Sequence, residues 1–344
     1  MPRHRGARVA APSSPGPAPG GTLGEFDRIE RFLRPLARGF AGALDLRDDA
    51  AVFDVPAGCE LVVTTDAMVE GIHFLPDDPP GDIAAKLLRV NLSDLAAMGA
   101  DPLAYSLVTG LPHRIGNDWL AAFVQGLAAD QDLFGIGLSG GDSVSTPGPM
   151  FLSVTAFGTV PVGGAVRRDG ARSGDRVLVT GTIGDAWLGL AVRQGRLSVA
   201  DPGPLVDRLR RPTPRVRLGP ALRRHAHAAA DVSDGLVADA GHVAAASGVA
   251  LRLDASRVPL SDAARAALGA DPGLLAGLLG GGDDYELVVA VPPDRSGAFI
   301  ADAAALGVAV TDIGECVSGP AGAVAVVDGQ GRDLPIAARG WSHF

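Results

Sequence analysis

Glu60-Leu-Val-Val-Thr-Thr65 runs apolar and β-branched up to Asp66, and Asp82 then opens the stretch Ile83-Ala-Ala-Lys86-Leu-Leu-Arg-Val90-Asn-Leu-Ser-Asp94-Leu-Ala-Ala-Met-Gly99. The first segment predicts a strand. The second predicts a helix capped by Asp82, with Ile83, Leu87, Leu88, Val90, Leu92 and Leu95 as apolar positions and Gly99 as its stop. The alternation continues outward from there. A strand is expected over Leu103 to Val108, a helix around Trp119 to Leu133, and a long strand over Met150 to Val160. The second half restarts with a strand, Arg176 to Thr180, and a glycine turn, Gly181-Thr-Ile-Gly184, before a helix from Asp185. Asp231-Val-Ser-Asp234-Gly235 precedes a helix ending near Gly248, and Gly280-Gly-Gly282-Asp-Asp284 precedes the strand Leu287 to Val291. The pattern predicts a mixed α/β chain of two domains.

Pro161-Val-Gly-Gly164 is the expected linker, dividing residues 23–164 from 165–344. Residues 1–22 are rich in Pro, Gly, Ala and Ser without apolar periodicity and are expected to form a disordered tail. Order is expected near Gly24, with Phe26, Ile29, Phe32 and Leu33 on one face of a short helix.

Composition excludes several classes. Aromatic residues are 5% of the chain, so the core must be aliphatic. Lys86 is the one lysine among 30 basic residues, and no Walker A loop surrounds it. Heavy Ala, Gly, Pro and Arg use with almost no Lys looks like coding bias. A net charge of −9 argues against a nucleic-acid surface. Two cysteines are too few for a disulfide framework or a Cys-rich zinc site. No apolar run approaches the roughly 18 residues of a membrane span, and no signal-peptide core follows the basic N-terminus. A soluble, cytoplasmic protein is expected.

Aspartates carry the chemical signal. Asp48-Asp49, Asp66, Asp142, Asp231, Asp234 and Asp283-Asp284 each stand beside a strand end, a helix start or a glycine turn. Aspartate is common at turns and caps for local hydrogen-bonding reasons. Asp94 is different: it lies inside a predicted helix among Leu92, Leu95 and Ala96, where a carboxylate is costly to bury without a partner or metal. Converging carboxylates repel, and hard divalent cations resolve that conflict. Mg²⁺ favours a few carboxylates, water and substrate phosphates. Gly140-Gly141, Gly181–Gly184 and Ser233-Asp234-Gly235 are candidate cradles offering backbone N–H groups to phosphate. The residues alone thus suggest a Mg²⁺-dependent nucleotide or phosphate enzyme. His225 and His227 are read as two apart in an Ala-rich helix, not sharing a face. His73 is the most plausible functional histidine.

At these positions the sequence resembles the thiamine-monophosphate kinases. The resemblance rests on Gly24-Glu-Phe26, Asp48-Asp-Ala-Ala-Val52, Thr64-Thr-Asp66, Glu70-Gly-Ile-His-Phe-Leu75, Val90 to Ala100, Gly140-Gly-Asp142, Val179 to Asp185, Arg211-Pro-Thr-Pro-Arg215, Asp231 to Leu236 and Gly281 to Leu287, in that order. It implies an N-terminal α/β domain whose strands form a barrel with those of a second subunit, and a C-terminal α/β domain. It implies transfer from ATP to thiamine monophosphate, with Mg²⁺, in a homodimer. By the same resemblance Asp49, Thr64, Thr65, Asp66, Asp94, Asp142, Asp231 and Asp234 would hold metal, with Asp49, Asp94 and Asp234 central to catalysis. Gly141, Asp142, Arg168 and Ser233 would contact ATP, and His73, Asp283 and Trp341 would line the thiamine side.

Three positions depart from the family pattern: Leu46-Arg47 replace a Gly-x-Gly, Asp283 replaces a glutamate, and Ser143 replaces a threonine. Rivals on the same fold are aminoimidazole ribonucleotide synthetase, selenophosphate synthetase and the hydrogenase maturation member. The latter two need reactive cysteines that this chain lacks before Cys59 and at its end, and Thr64 to Leu75 favours the kinase over the ring-closing enzyme. A nucleotide-binding protein without catalysis would be expected to lose Asp49, Asp66, Asp94 or Asp234, and all four are present.

Overall fold

A computed structural model describes residues 24–336 and Gly340. The expected tail and Trp341 lie outside the described residues. Short helices α1 (Glu25–Arg28) and α2 (Arg34–Ala37), joined by a π-helical turn, lead to the strand β1 (Cys59–Val69). Then come α3 (Pro80–Ala97), β2 (Asp101–Pro112), α4 (Asn117–Phe134), β3 (Gly137–Thr146) and β4 (Phe151–Pro161). These strands form a sheet in the order β1-β4-β2-β3, antiparallel except for the β2–β3 pair.

The second half contributes β5 (Arg176–Thr180), α5 (Asp185–Arg193), α6 (Gly203–Arg210), α7 (Gly219–His225), β6 (Ala228–Asp231), α8 (Leu236–Ser247) and β7 (Ala250–Asp254). After these come α9 (Asp262–Ala270), α10 (Leu275–Gly280), β8 (Leu287–Val291), α11 (Pro293–Ala305), β9 (Val310–Val317) and β10 (Val324–Val327). Its six-stranded sheet runs β10-β7-β9-β5-β8-β6, with β10–β7 as the parallel pair. Among the described residues no helix is long and apolar enough to cross a membrane.

The two sheets are covered differently, and their sequences say why. β5 and β8 read as near-continuous apolar runs because both faces of their sheet are packed, by Leu236 and Val243 of α8 on one side and Leu222 and Phe299 on the other. β1 instead alternates. Val62, Thr64, Asp66 and Met68 turn inward, toward α3, while Leu61, Val63, Thr65 and Ala67 face out. The outer face of the first sheet is covered only in part: Phe53 packs on Phe157 with ring centroids 4.6 Å apart, while among the described residues Leu61, Val63, Val144 and Phe151 stay exposed.

α3 is buried nearly all round because it packs on β1 and β4 and also against β6 of the second sheet. Leu87, Leu88, Leu92 and Leu95 fill the first core with Phe123, Leu127 and Leu152. Lys86 and Asn91 are buried on the same helix.

Two expectations need correction. Gly140-Gly141 is no turn but lies within β3, a strand hidden from sequence reading by its glycines and serines. A Cβ on Gly141 would stand 1.8 Å from the Leu107 carbonyl oxygen, so glycine is required for β3 to approach β2. His225 ends α7, and His227 lies beyond it, with its ring on Asp175 at 2.9 Å. The two do not share one helix.

Candidate active site between the two sheets

Asp94 projects from α3 toward β1, where the Thr64 hydroxyl donates to its Oδ2 at 2.5 Å. The Asp66 backbone N–H donates to Asn91 Oδ1 at 3.0 Å, and Asn91 donates to the Leu87 carbonyl at 2.9 Å, fixing β1 on α3. Across from them Asp231 ends β6, fully packed, and Asp234 follows in the loop before α8.

These carboxylates act on one another. Burial, then the charges of Asp94 and Asp234, raise Asp66 to about 6. Burial raises Asp94, opposed by the Thr64 hydroxyl and the Arg168 charge. Asp231 is pushed well above the usual carboxylate range by burial and then by Asp94 and Asp239. Asp94 thus carries the electrostatic cost expected of a carboxylate inside an apolar helix.

Asp239, missed in the sequence reading, belongs to the group. Its Oδ2 accepts the backbone N–H groups of Asp234 and Gly235 at 3.0 and 3.1 Å, and burial raises it to about 7. The rule that picked Asp94, a carboxylate within an apolar helix, also picks Asp239, flanked by Val237, Ala238 and Ala240. Asp234, Asp239 and exposed His242 bring ligand atoms within 4.8 Å of one another.

Two clefts flank this centre. A cleft of about 490 Å³ is lined by Val62, Thr64, Asp94, Met98, Arg168 and Asp231. A smaller one of about 30 Å³ is lined by His73, Phe74, Lys86, Arg210 and Asp283. The Val69 N–H donates to His73 Nδ1 at 3.0 Å, which orients the ring. The loops bearing Asp234 and Asp283 lie backbone to backbone: Asp283 N–H donates to the Ser233 carbonyl and Tyr285 N–H to the Val232 carbonyl, both at 2.8 Å. A Cβ on Gly282 would fall 2.1 Å from the Ser233 oxygen, so glycine permits that approach.

Other predicted residues are not brought to the centre within one chain. Thr65 points to the opposite face from Thr64, with its hydroxyl 2.9 Å from that of Thr155. Asp142 is exposed, and the β2–β3 and β2–β4 registers put it on that same outer face. Asp49 is exposed, its N–H donating to Asp48 Oδ1.

The cradle expectations also change. Gly181, Ile183 and Gly184 already donate their N–H groups to Ala309, Pro259 and the Asp284 carboxylate. That turn is therefore a structural joint. Asp239 occupies two amides of the Ser233–Gly235 loop. Arg215, from the Arg-Pro-Thr-Pro-Arg motif, pairs with fully buried Glu286, as does Arg208, while Arg211 pairs with Asp82. Arg168 is exposed beside the larger cleft and remains the cation whose charge acts on Asp94.

Carboxylates from both halves of the chain meeting between two clefts, with Arg167 and Arg168 lining the larger one, suit a nucleotide-dependent phosphate enzyme. The family model for the AIR synthase related protein N-terminal domain matches residues 47–160, and the model for the C-terminal domain matches residues 172–327. Both halves of that class are therefore present. A curated thiamine-monophosphate kinase from Caulobacter vibrioides is 49% identical over 338 residues, 97% of this chain and 93% of the relative. The crystal structure of thiamine-monophosphate kinase from Stenotrophomonas maltophilia aligns with a TM-score of 0.79 at 44% identity, covering 91% of this chain and 98% of that one. AaThiL complexed with AMPPCP and TMP aligns with a TM-score of 0.74 at 30% identity, covering 94% and 97%. The chain belongs to the thiamine-monophosphate kinase family.

Proposed function

We propose that this chain transfers the terminal phosphoryl group of ATP to thiamine monophosphate, forming ADP and thiamine diphosphate. The observation that carries the reading is the meeting of Asp66, Asp94, Asp231 and Asp234 between two clefts. The relatives' activity and the AMPPCP and TMP bound by AaThiL support it. The larger cleft, with Arg168, takes ATP, and the acceptor is received on the side of His73 and Asp283, where the cleft of about 30 Å³ must widen to admit it.

The donor set fits Mg²⁺: hard oxygens and mutually repelling carboxylates, with the Arg168 charge offsetting part of the strain at Asp94. Asp66, Asp94, Asp231 and Asp234 would hold it, with Thr64 orienting Asp94. Bound Mg²⁺ neutralises phosphate oxygens and stabilises the transferring phosphoryl group. The protein's own part is to bring two polyanions into line, with Arg168 at the donor phosphates. No general base is required, because a phosphate monoester loses its second proton near a pKa of about 6. Transfer is direct, without a phosphoenzyme.

A homodimer completes the reading. A second copy against the open face of the first sheet would bury Leu61, Val63, Val144 and Phe151. It would also cover Thr65 and Asp142, so those two residues would reach ligands only in the dimer. Residues 23–164 supply this interface and much of the ATP side, and residues 165–344 supply Asp231, Asp234 and Asp283. Catalysis takes place in the cytoplasm.

Purified protein given ATP, Mg²⁺ and thiamine monophosphate is expected to form thiamine diphosphate, with inversion at the transferred phosphorus. Asp94→Ala is expected to lose about 10²–10³ in kcat, the scale of removing one electrostatic contact to the transition state. No product from the wild type would overturn the kinase reading. Retention would overturn direct transfer, and an undiminished variant would overturn the metal assignment.

A further inference from the structure

Lys86 is 3% exposed. A buried ammonium needs partners, and its Nζ donates to Asp283 Oδ2 and to the His73 carbonyl oxygen, each at 3.0 Å. It thereby joins three pieces of chain: α3, which carries Asp94 two turns further on, the segment bearing His73, and the loop bearing Asp283.

That loop is held in an unusual shape. Asp283 and Tyr285 have φ of 71° and 51°, left-handed values that side chains other than glycine rarely adopt. Such conformations persist where surrounding contacts over-determine them. The contacts here are the two backbone bonds to the Asp231–Asp234 loop, the Tyr285 hydroxyl donating to Asp283 Oδ1 at 3.2 Å, and Lys86. The Asp283 side chain is 32% exposed, and it opens into the smaller cleft beside His73.

We infer that Lys86 is a positioning residue for the acceptor: it sets the Asp283 carboxylate and the His73 segment relative to Asp94 and so fixes where the acceptor is received. The inference rests on the kinase reading above. It also accounts for a lysine in a chain whose other basic residues are arginine. A compact ammonium with three donors reaches a carbonyl and a carboxylate from a packed helix, whereas a planar guanidinium presents its donors in a fixed fork.

Steady-state kinetics of Lys86→Met, Lys86→Arg, Asp283→Asn and the Lys86→Met/Asp283→Asn double variant test it, with ATP and thiamine monophosphate varied separately and melting temperatures recorded. Lys86→Met is expected to raise the KM for thiamine monophosphate about 10-fold, equivalent to about 1.4 kcal/mol, with the KM for ATP within about twofold. The double variant is expected to be no worse than Lys86→Met alone, the signature of two residues acting as one unit. Lys86→Arg, which keeps the charge, is expected to recover melting temperature but not the full KM. Asp283→Asn, at a partly exposed side chain, keeps the test open if Lys86→Met folds poorly.

Equal movement of both KM values in step with melting temperature, or additive single effects, would show a merely structural ion pair and overturn the inference. An active wild type with an unchanged acceptor KM in Lys86→Met would overturn it while leaving the kinase reading intact. An inactive wild type would overturn both.

Discussion

Asp66 and Asp239 show what the carboxylate cluster does to the protein before any ligand arrives. Their folded values of about 6 and about 7 stand above the ordinary 3.8 because burial, and for Asp66 the neighbouring charges, disfavour ionisation. Over that interval the native state binds more protons than the unfolded chain, so its stability falls as pH rises and then levels off. Asp231, raised further, adds to the same trend. The melting temperature in a chelator is therefore expected to be higher at about pH 5 than at about pH 8, and Mg²⁺ is expected to narrow the gap. A metal-free melting temperature that climbs with pH would contradict the clustering. At this scale the sequence was informative where a residue broke its local pattern. Asp94 stands out as a carboxylate in an apolar helix, and Asp239 was equally visible by the same rule.

At the scale of elements, the site depends on joints that hold β6, β8 and the two aspartate loops together. Glu286, just ahead of β8, is fully buried and accepts the Thr180 hydroxyl at 2.6 Å, Arg215 Nε at 2.6 Å and a bond from Arg208. Asp284 accepts the Gly184 N–H at 2.8 Å. Gly184 lies in a turn expected to cradle phosphate, yet its N–H is spent on the fold. Glu286→Gln leaves two partly buried guanidinium groups short of a counter-charge and is expected to cost about 1.5–3 kcal/mol, the range for hydrogen bonds to charged groups. Urea denaturation would measure it, and a loss within experimental scatter would contradict this role. The elements themselves were largely legible. β5, β8 and α3 follow from apolar runs and periodicity. β3 was not, because Gly140, Gly141 and Ser143 look like a loop until β2 pairs with them. Pairings across long separations, such as Lys86 with Asp283 at 197 residues apart, leave no local trace.

For the whole molecule, the first sheet has one face covered by helices and one that Phe53 covers only in part, and the exposed part, with Leu61, Val63, Val144 and Phe151, is where a second copy is proposed to sit. Val63→Glu places a charge in the middle of β1 on that face. Sedimentation is expected to show the wild type as a dimer and the variant shifted toward monomer. A wild type that sediments as a stable monomer would remove the dimer and, with it, the proposed route by which Thr65 and Asp142 join the site.

The sequence by itself determined the alternation of strands and helices, the aliphatic core, the exclusion of P-loop chemistry and the identity of most of the clustered aspartates. These are properties of composition and of short spacing, which the chain carries wherever it folds. Tertiary structure decided which face each β1 residue takes, since alternation separates Thr64 from Thr65 without saying which one meets Asp94. It decided that glycine turns expected to hold phosphate spend their amides on Asp239, Asp284 and backbone carbonyls. It also decided that the lone lysine faces Asp283, because only packing α3 between two sheets brings residues so distant in sequence within 3.0 Å.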